Sequence, residues 1–123
     1  MKREEIFKKV LDCSFKVHSA LGPGLLESAY TECLYFDLTK SGLKVEKQKP
    51  LPLLYKDVHL EAGYRIDLLV ENCIVVEIKS IEALADIHMA QILTYLKLSN
   101  CGLGLLVNFN VLHLKDGIKG VII

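Results

Sequence analysis

Two charged residues interrupt an apolar run near the middle of the chain. Glu77 and Lys79 lie in the sequence Ile-Val-Val-Glu-Ile-Lys at positions 74–79. Buried strands rarely carry charge, because removing an unpaired ion from water is costly. Residues two apart in a strand face the same side, so Glu77 and Lys79 are expected on one face. The preceding apolar run, positions 65–70, also contains an acid, Asp67.

Two carboxylates and a lysine on neighbouring strands can perform metal-assisted hydrolysis. Carboxylate oxygens are ligands for Mg²⁺ or Mn²⁺. Such a metal activates water and offsets charge on a phosphodiester, while a lysine adds positive charge beside it. The alternative is a structural Glu77–Lys79 ion pair at a strand end, with Asp67 exposed on an edge. The charges in these strands do not by themselves favour either interpretation.

The metal hypothesis sets a condition on the hairpin between the two strands. Asp67 and Glu77 share a face only if the connecting loop has an odd number of residues or the hairpin has a bulge. A three-residue loop over 70–72 is predicted, because Asn72 tolerates the left-handed conformation that such loops require. A two-residue turn would place the carboxylates on opposite faces.

A glutamate near the start of a helix is a further candidate. The pattern Gly24-x-x-Glu27-x-x-Tyr30 places Glu27 early in the predicted second helix. Glu27 and Tyr30 are three residues apart and therefore neighbours on the helix surface. The alternative interpretation is a first-turn glutamate that interacts favourably with the helix dipole.

A polar face is also predicted on the third helix. His88, Gln91 and Tyr95 recur at positions i, i+3 and i+7, which lie on one side of a helix. Without further context, the polar flank of an amphipathic helix is the favoured interpretation.

Hydrophobic periodicity predicts an α/β protein with a mixed sheet in the order α-α-β-β-β-β-α-β-β. Helices are predicted over 3–20, 25–40 and 86–98, the last with Asp86 as N-cap. Strands are predicted over 43–48, 58–62, 64–70, 73–79 and 102–109, followed by a strand or hairpin within 112–123. The segments 58–62 and 64–70 are predicted either as two strands or as one long strand interrupted at Gly63. The strands over 73–79 and 102–109 should be parallel, because a helix connects them.

Composition predicts one domain, residues 1–123, with a substantial core. The chain is 51% hydrophobic and 24% charged, and its 15 basic and 15 acidic residues give a net charge of zero. Neutrality argues against strong non-specific nucleic-acid binding. No apolar run is long enough to span a bilayer and no signal peptide is evident. The four cysteines form no Cys-x-x-Cys pair, and a reducing cytoplasm is the expected location.

Several of these motifs together resemble a known family. The matching patterns, in chain order, are Gly24-x-x-Glu27-x-x-Tyr30, Asp67, Glu77-Ile78-Lys79, His88, Gln91-x-x-x-Tyr95 and the apolar strand at 105–109. They resemble the GxxExxY proteins of the PD-(D/E)XK nuclease superfamily, and the Gln91–Tyr95 pattern is similar to a motif of RecB-like nucleases. The resemblance implies a restriction-endonuclease-like core, a mixed β-sheet flanked by helices.

The resemblance also implies a role for each matching residue. The metal ligands would be Asp67, Glu77, the Ile78 carbonyl and Glu27. Lys79 would be the catalytic lysine. The residues implied to bind substrate or support the site are Tyr30, His88, Gln91 and Tyr95.

The leading functional hypothesis is therefore a nuclease that uses Mg²⁺ or Mn²⁺ to hydrolyse phosphodiester bonds, with DNA as the expected substrate. A non-catalytic binding or regulatory protein on the same core is the alternative, because fold alone does not confer activity. A metal-dependent hydrolase of a smaller phosphate ester is a weaker one. The apolar C-terminus at 120–123 further suggests a homodimer.

Overall fold

Two helices open the chain. The computed structural model describes residues 1–61 and 63–123; Ala62, the last residue of the predicted strand over 58–62, lies outside the described residues. Helix α1 spans Arg3–Leu21 and helix α2 spans Glu27–Lys40. Both helices were predicted to within two residues at each end. Gly42 follows α2 with a φ of 93°, the left-handed conformation expected after a helix end.

Five strands form the main sheet in the order β1-β4-β5-β6-β7. Their bounds are β1 Val45–Pro50, β4 Arg65–Val70, β5 Ile74–Lys79, β6 Leu103–Asn108 and β7 Ile118–Ile122. Strands β5 and β6 are parallel, as predicted, and the other neighbours are antiparallel. Helix α3, Asp86–Ser99, connects the parallel pair. The predicted α/β fold with a mixed sheet is confirmed.

Apolar layers cover the sheet on both faces. Val76 and Ile78 of β5 pack in the layer that contains α1 and α2, whereas Val75 packs in the layer that contains α3. Because side chains alternate along a strand, Glu77 and Lys79 lie on the α3 face. The buried strand thus directs its two charges toward a single helix.

One predicted strand is instead a separate hairpin. Strand β3, Val58–Leu60, pairs with β2, Leu53–Tyr55, in a two-stranded sheet of its own. Of the two alternatives for 58–62 and 64–70, the single long strand is therefore wrong and two separate strands are observed. Gly63 separates β3 from β4 with a φ of 110°, a conformation that other residues rarely adopt.

The predicted strand within 112–123 is β7, and a 3₁₀ helix, Leu114–Gly117, precedes it. Gly117 packs so closely on the carbonyl of Asn108 that a side chain would collide with it. The predicted N-cap of α3 was wrong: the N-cap is Ala85, whose backbone is extended and whose N–H donates to the His88 side chain, and Asp86 is the first residue of the helix. None of the described helices is both long and apolar enough to cross a membrane.

Candidate functional site

The β4–β5 hairpin satisfies the condition for a shared acidic face. Its backbone pairs are Leu68 with Val76, Leu69 with Val75 and Val70 with Ile74. The loop is therefore the three residues 71–73, one position later than predicted. The odd loop length is confirmed, and Asn72 has the left-handed conformation expected of it, with a φ of 54°. Asp67 and Glu77 consequently face the same side.

Side-chain bonds replace backbone pairing where Asp67 faces Glu77. The Asp67 N–H donates to Oε2 of Glu77 at 2.9 Å, and the Ile78 N–H donates to Oδ2 of Asp67 at 2.8 Å. Each carboxylate thus accepts a backbone donor from the opposite strand. This reciprocal bonding holds the two acidic groups side by side at a fixed position.

The other neighbour of Asp67 also departs from regular strand geometry. The register of β1 pairs Lys47 with Leu68 and Lys49 with Ile66, so Gln48 lies opposite Asp67 but forms no ladder pair with it. Gln48 has a φ of 51°, in the left-handed region that is uncommon for a residue with a side chain. Such local strain often accompanies functional sites.

Burial and mutual repulsion destabilise the charged forms of both acids. Glu77 is only 4% exposed. Burial, and next the neighbouring Asp67 carboxylate, raise the pKa of Glu77 to about 8. Burial also raises the pKa of Asp67, although the Ile78 N–H and Lys79 partly offset this rise. Without a compensating cation, the pair resists holding two negative charges near neutral pH.

Lys79 is held beside the acidic pair by helix α3. Its Nζ donates to Oε1 of Gln91 at 3.3 Å, and Nε2 of Gln91 lies 3.5 Å from the Tyr95 hydroxyl. An ammonium group can only donate, which fixes the orientation of the Gln91 amide. Burial, then the charges of Glu77 and Asp67, raise the pKa of Tyr95. Helix α3 therefore contributes a polar face to the site, as predicted.

His88 is oriented by the start of α3. Its Nδ1 accepts the N–H of Ala85 at 2.9 Å. A neutral His88 must then carry its proton on Nε2, which makes that nitrogen a donor. His88 belongs to a cleft of about 430 Å³ whose lining residues are Tyr64, Lys79, Ile87, His88, Ala90, Gln91, Thr94 and Tyr95.

Tyr30 supports the site from the core and does not line the cleft. Its ring is fully buried and stacks on Phe109 with centroids 4.6 Å apart. Its hydroxyl donates to the Gly22 carbonyl at 2.5 Å and accepts the Leu25 N–H at 3.1 Å. Tyr30 therefore holds the loop that leads into α2.

Glu27 is the first residue of α2 and is exposed to solvent. Its charge is close enough to raise the pKa of both Asp67 and Glu77. Within residues 1–61 and 63–123, however, no three Asp, Glu, His or Cys side chains are gathered into a metal-binding cluster. The side chains that the structure brings together are Asp67 and Glu77, with Glu27 nearby.

A network that was not predicted holds the loops around the site. The buried Asn108 accepts the N–H of Ile81 at 3.1 Å and donates to its carbonyl at 3.1 Å. Asn108 also accepts the N–H of Asn110, whose side chain in turn accepts the Gly24 N–H at 3.1 Å. The loops after β5 and β6 are thereby joined to the loop before Glu27. The sequence feature that could have indicated this network is Asn108 itself, a polar residue at the end of an apolar strand.

The donor atoms of the acidic pair fit a hard divalent cation. Asp67 and Glu77 offer carboxylate oxygens, and the Ile78 carbonyl follows in the same strand. Mg²⁺ commonly binds proteins through one or two carboxylates and completes its shell with water and substrate phosphate. A cation here would also stabilise the charged carboxylates, whose pKa values are raised first by burial and then by neighbouring negative charge. The residues present therefore suit a metal that keeps open positions.

The mixed sheet and the acidic pair with its lysine define a nuclease-like α/β protein. A family model for the PD-(D/E)XK nuclease superfamily matches residues 4–121, and the chain belongs to this superfamily. No curated protein and no solved structure matches the chain. The superfamily predicted from the sequence motifs is thus confirmed. Its members generally use divalent metal ions and act on nucleic acid.

Proposed function

We propose that this protein is a metal-dependent nuclease that hydrolyses phosphodiester bonds in DNA. The observation that carries the proposal is the reciprocal bonding of Asp67 and Glu77 beside Lys79. Holding two carboxylates together in a partly buried place costs free energy in the absence of a cation. A structural ion pair would need only one of the two acids. A divalent metal explains why both are present.

Asp67, Glu77 and the Ile78 carbonyl would hold Mg²⁺ or Mn²⁺, and Glu27 would add a further carboxylate from α2. When bound, the metal supplies an activated water and stabilises charge on the phosphate. The backbone donors that fix the two carboxylates keep their free oxygens in a constant arrangement. Such positioning by surrounding groups is typical of metal ligands.

Lys79 would be the catalytic lysine. Its ammonium lies next to the acidic pair and is oriented by Gln91, so it can stabilise negative charge that develops on a phosphate. His88 offers Nε2–H as a donor at the cleft wall. Gln91 and Tyr95 brace Lys79 and provide polar atoms for the nucleic-acid backbone.

A cleavage assay tests this proposal. Plasmid, linear and single-stranded DNA are incubated with Mn²⁺ or Mg²⁺ and either wild-type protein or Lys79→Ala. We expect cleavage that stops in EDTA and falls by about 10²- to 10³-fold in the variant, the usual loss when one charge-stabilising group is removed. The matched control is Lys8→Ala, which removes an exposed lysine that pairs with Asp12 and should leave the rate unchanged. Cleavage by Lys79→Ala at the wild-type rate would overturn the proposal.

A non-catalytic binding or regulatory protein on the same core is the second candidate. The neutral net charge favours it, as does the lack of a three-residue ligand cluster among the described residues. It predicts a folded protein that neither cleaves DNA nor binds Mn²⁺. Metal binding without cleavage would instead indicate a missing partner or a smaller phosphate ester as substrate.

Three finer assignments accompany the proposal. The Gly24-x-x-Glu27-x-x-Tyr30 pattern supports membership of the GxxExxY family, since Tyr30 holds the loop before Glu27. The edge strand β7 carries Ile122 at 67% exposure, which supports a homodimer testable by analytical ultracentrifugation. The four cysteines are free thiols, in keeping with a reducing cytoplasm, which localisation of the tagged protein would test.

A further inference from the structure

Tyr64 presents an aromatic ring at the cleft that contains Lys79. It lies between Gly63 and the start of β4, and its carbonyl accepts the Leu51 N–H at 2.9 Å. The backbone is thus anchored while the side chain remains 44% exposed. Tyr64 lines the cleft together with residues of α3. It also lines an adjoining recess of about 250 Å³ whose other lining residues are Leu53, Thr94, Tyr95 and Leu98.

The cleft has the size and chemistry of a pocket for one nucleotide. Its volume of about 430 Å³ is within the range of roughly 300–1,000 Å³ for small-molecule pockets. Apolar groups of Tyr64, Ile87 and Ala90 share the lining with the polar Lys79 and Gln91. Exposed tyrosine rings are common stacking surfaces for unpaired bases. The polar groups would then meet the phosphate while the ring meets the base.

Charge around the cleft is poorly suited to intact duplex DNA. Of the described residues that line the cleft, Lys79 is the one side chain with a full positive charge. Arg65, next to Tyr64, donates to the Gln48 carbonyl, and on β1 Lys49 pairs with Glu46 while Lys47 pairs with Glu32 of α2. Duplex binding draws most of its affinity from several free cations on the phosphates. With one lysine in the cleft lining, base stacking would supply further affinity.

Tyr64 is also close in sequence to the acidic pair. Tyr64 precedes Asp67 by three positions, a span of roughly 10 Å along an extended strand. The hydroxyl of Tyr64 is near enough to Tyr95 to influence its ionisation. A base on Tyr64 would therefore belong to a nucleotide that flanks the bond to be cut.

We infer that the cleft takes an unpaired nucleotide, with its base stacked on Tyr64, and that the substrate is single-stranded DNA or a strand with a base out of the helix. This inference rests on the proposed nuclease function and specifies its substrate. It makes Tyr64 a substrate-binding residue. Intact duplex should be a poor ligand.

Fluorescence anisotropy tests the inference with a labelled oligo(dT) and a blunt duplex of equal length. Binding is measured in Ca²⁺ and again in EDTA, so that affinity is separated from cleavage. We expect tighter binding of the single strand than of the duplex. Tyr64→Ala should weaken single-strand binding by about 5- to 150-fold, the loss of one base–aromatic stack. Tyr64→Phe keeps the ring and should bind within about twofold of wild type.

The matched control is Tyr55→Ala. Tyr55 is 62% exposed on the β2–β3 hairpin and is not among the residues that line the cleft, so its removal should leave affinity unchanged. The inference is overturned if the wild type binds duplex as tightly as single strand, or fails to bind single strand in either condition. Equal binding by Tyr64→Ala and wild type also overturns it. Each of these results leaves metal-dependent cleavage by wild type and its loss in Lys79→Ala as a separate question.

Discussion

The two ends of the β4–β5 hairpin join the same strands by different means. Near the turn, backbone pairing joins apolar residues such as Leu68 and Val76, both fully buried. At the other end, the carboxylates of Asp67 and Glu77 bond the opposite backbone. The first end gains stability from burial. The second holds charges in a place where burial works against them, as the raised pKa of Glu77 shows.

Stability and chemistry therefore reside at opposite ends of one hairpin. Changes at the apolar end should lower the free energy of unfolding. Changes at the acidic end should affect metal binding and can even stabilise the metal-free protein. Variants at each end therefore test whether the two contributions are independent.

The largest effect on stability is expected for Leu68→Ala. Leu68 is fully buried in the layer beneath α1 and α2, and truncation there leaves a cavity. We expect a loss of about 2–5 kcal/mol in the free energy of unfolding, measured by urea denaturation. Leu54→Ala, at a side chain 66% exposed, serves as control and should cost less than about 0.5 kcal/mol. A cost below about 1 kcal/mol at Leu68 would contradict the structural role of this end.

A smaller loss is expected for Asn108→Ala. The change leaves the Ile81 N–H without its acceptor, whereas the Ile81 carbonyl still accepts a hydrogen bond from Nδ2 of Asn110. An unsatisfied buried donor costs about 1–3 kcal/mol, so the free energy of unfolding should fall by about that amount. Faster amide hydrogen exchange at Ile81 would locate the effect. Asn110→Ala removes fewer bonds and should cost less; the reverse order would argue against the network.

The smallest effect, and one of opposite sign, is expected for Glu77→Gln in EDTA. The folded pKa of Glu77, about 8, lies above its ordinary value of 4.5. Between these values the folded state binds more protons than the unfolded state, so wild-type stability falls as pH rises from about 4.5 to 8. Glutamine can still accept the Asp67 N–H but carries no charge. The variant should be more stable than wild type at pH 8 by on the order of 1 kcal/mol.

Denaturation of both proteins at several pH values measures this effect. The stability difference should shrink toward pH 4.5, where Glu77 is protonated in the folded state. A variant that is less stable than wild type at pH 8 would show that the Glu77 charge stabilises the fold, as a structural ion pair with Lys79 would.

Local periodicity explains which parts of the site could be predicted. Alternation along a strand placed Glu77 and Lys79 on one face, and helical spacing placed Gln91 and Tyr95 together on α3. Whether Asp67 and Glu77 share a face depended on whether the hairpin loop has an odd or an even number of residues. The loop has three residues, so the two side chains share a face. These features depend on residues close in sequence.

Features that depend on distant contacts were not predicted. Asn108 bonds Ile81, which lies 27 residues earlier, and no local pattern specifies that partner. The positive φ of Gln48 arises in an edge strand opposite Asp67, a register that only the folded sheet defines. Both features arise from tertiary structure and not from local propensity. The β2–β3 hairpin is by contrast local, with Tyr55 paired to Val58, and alternation alone did not distinguish this pairing from continuation into β4.

We propose that Asp67 and Glu77 together hold a divalent cation. Isothermal titration of Mn²⁺ at pH 8 into wild type and Asp67→Asn is the decisive measurement. Asparagine can still accept the Ile78 N–H, so the fold should survive while a charged ligand is lost. We predict one Mn²⁺ site in wild type, with affinity at least about tenfold weaker in the variant. Equal Mn²⁺ binding by the two proteins, or none by a folded wild type, would contradict the claim.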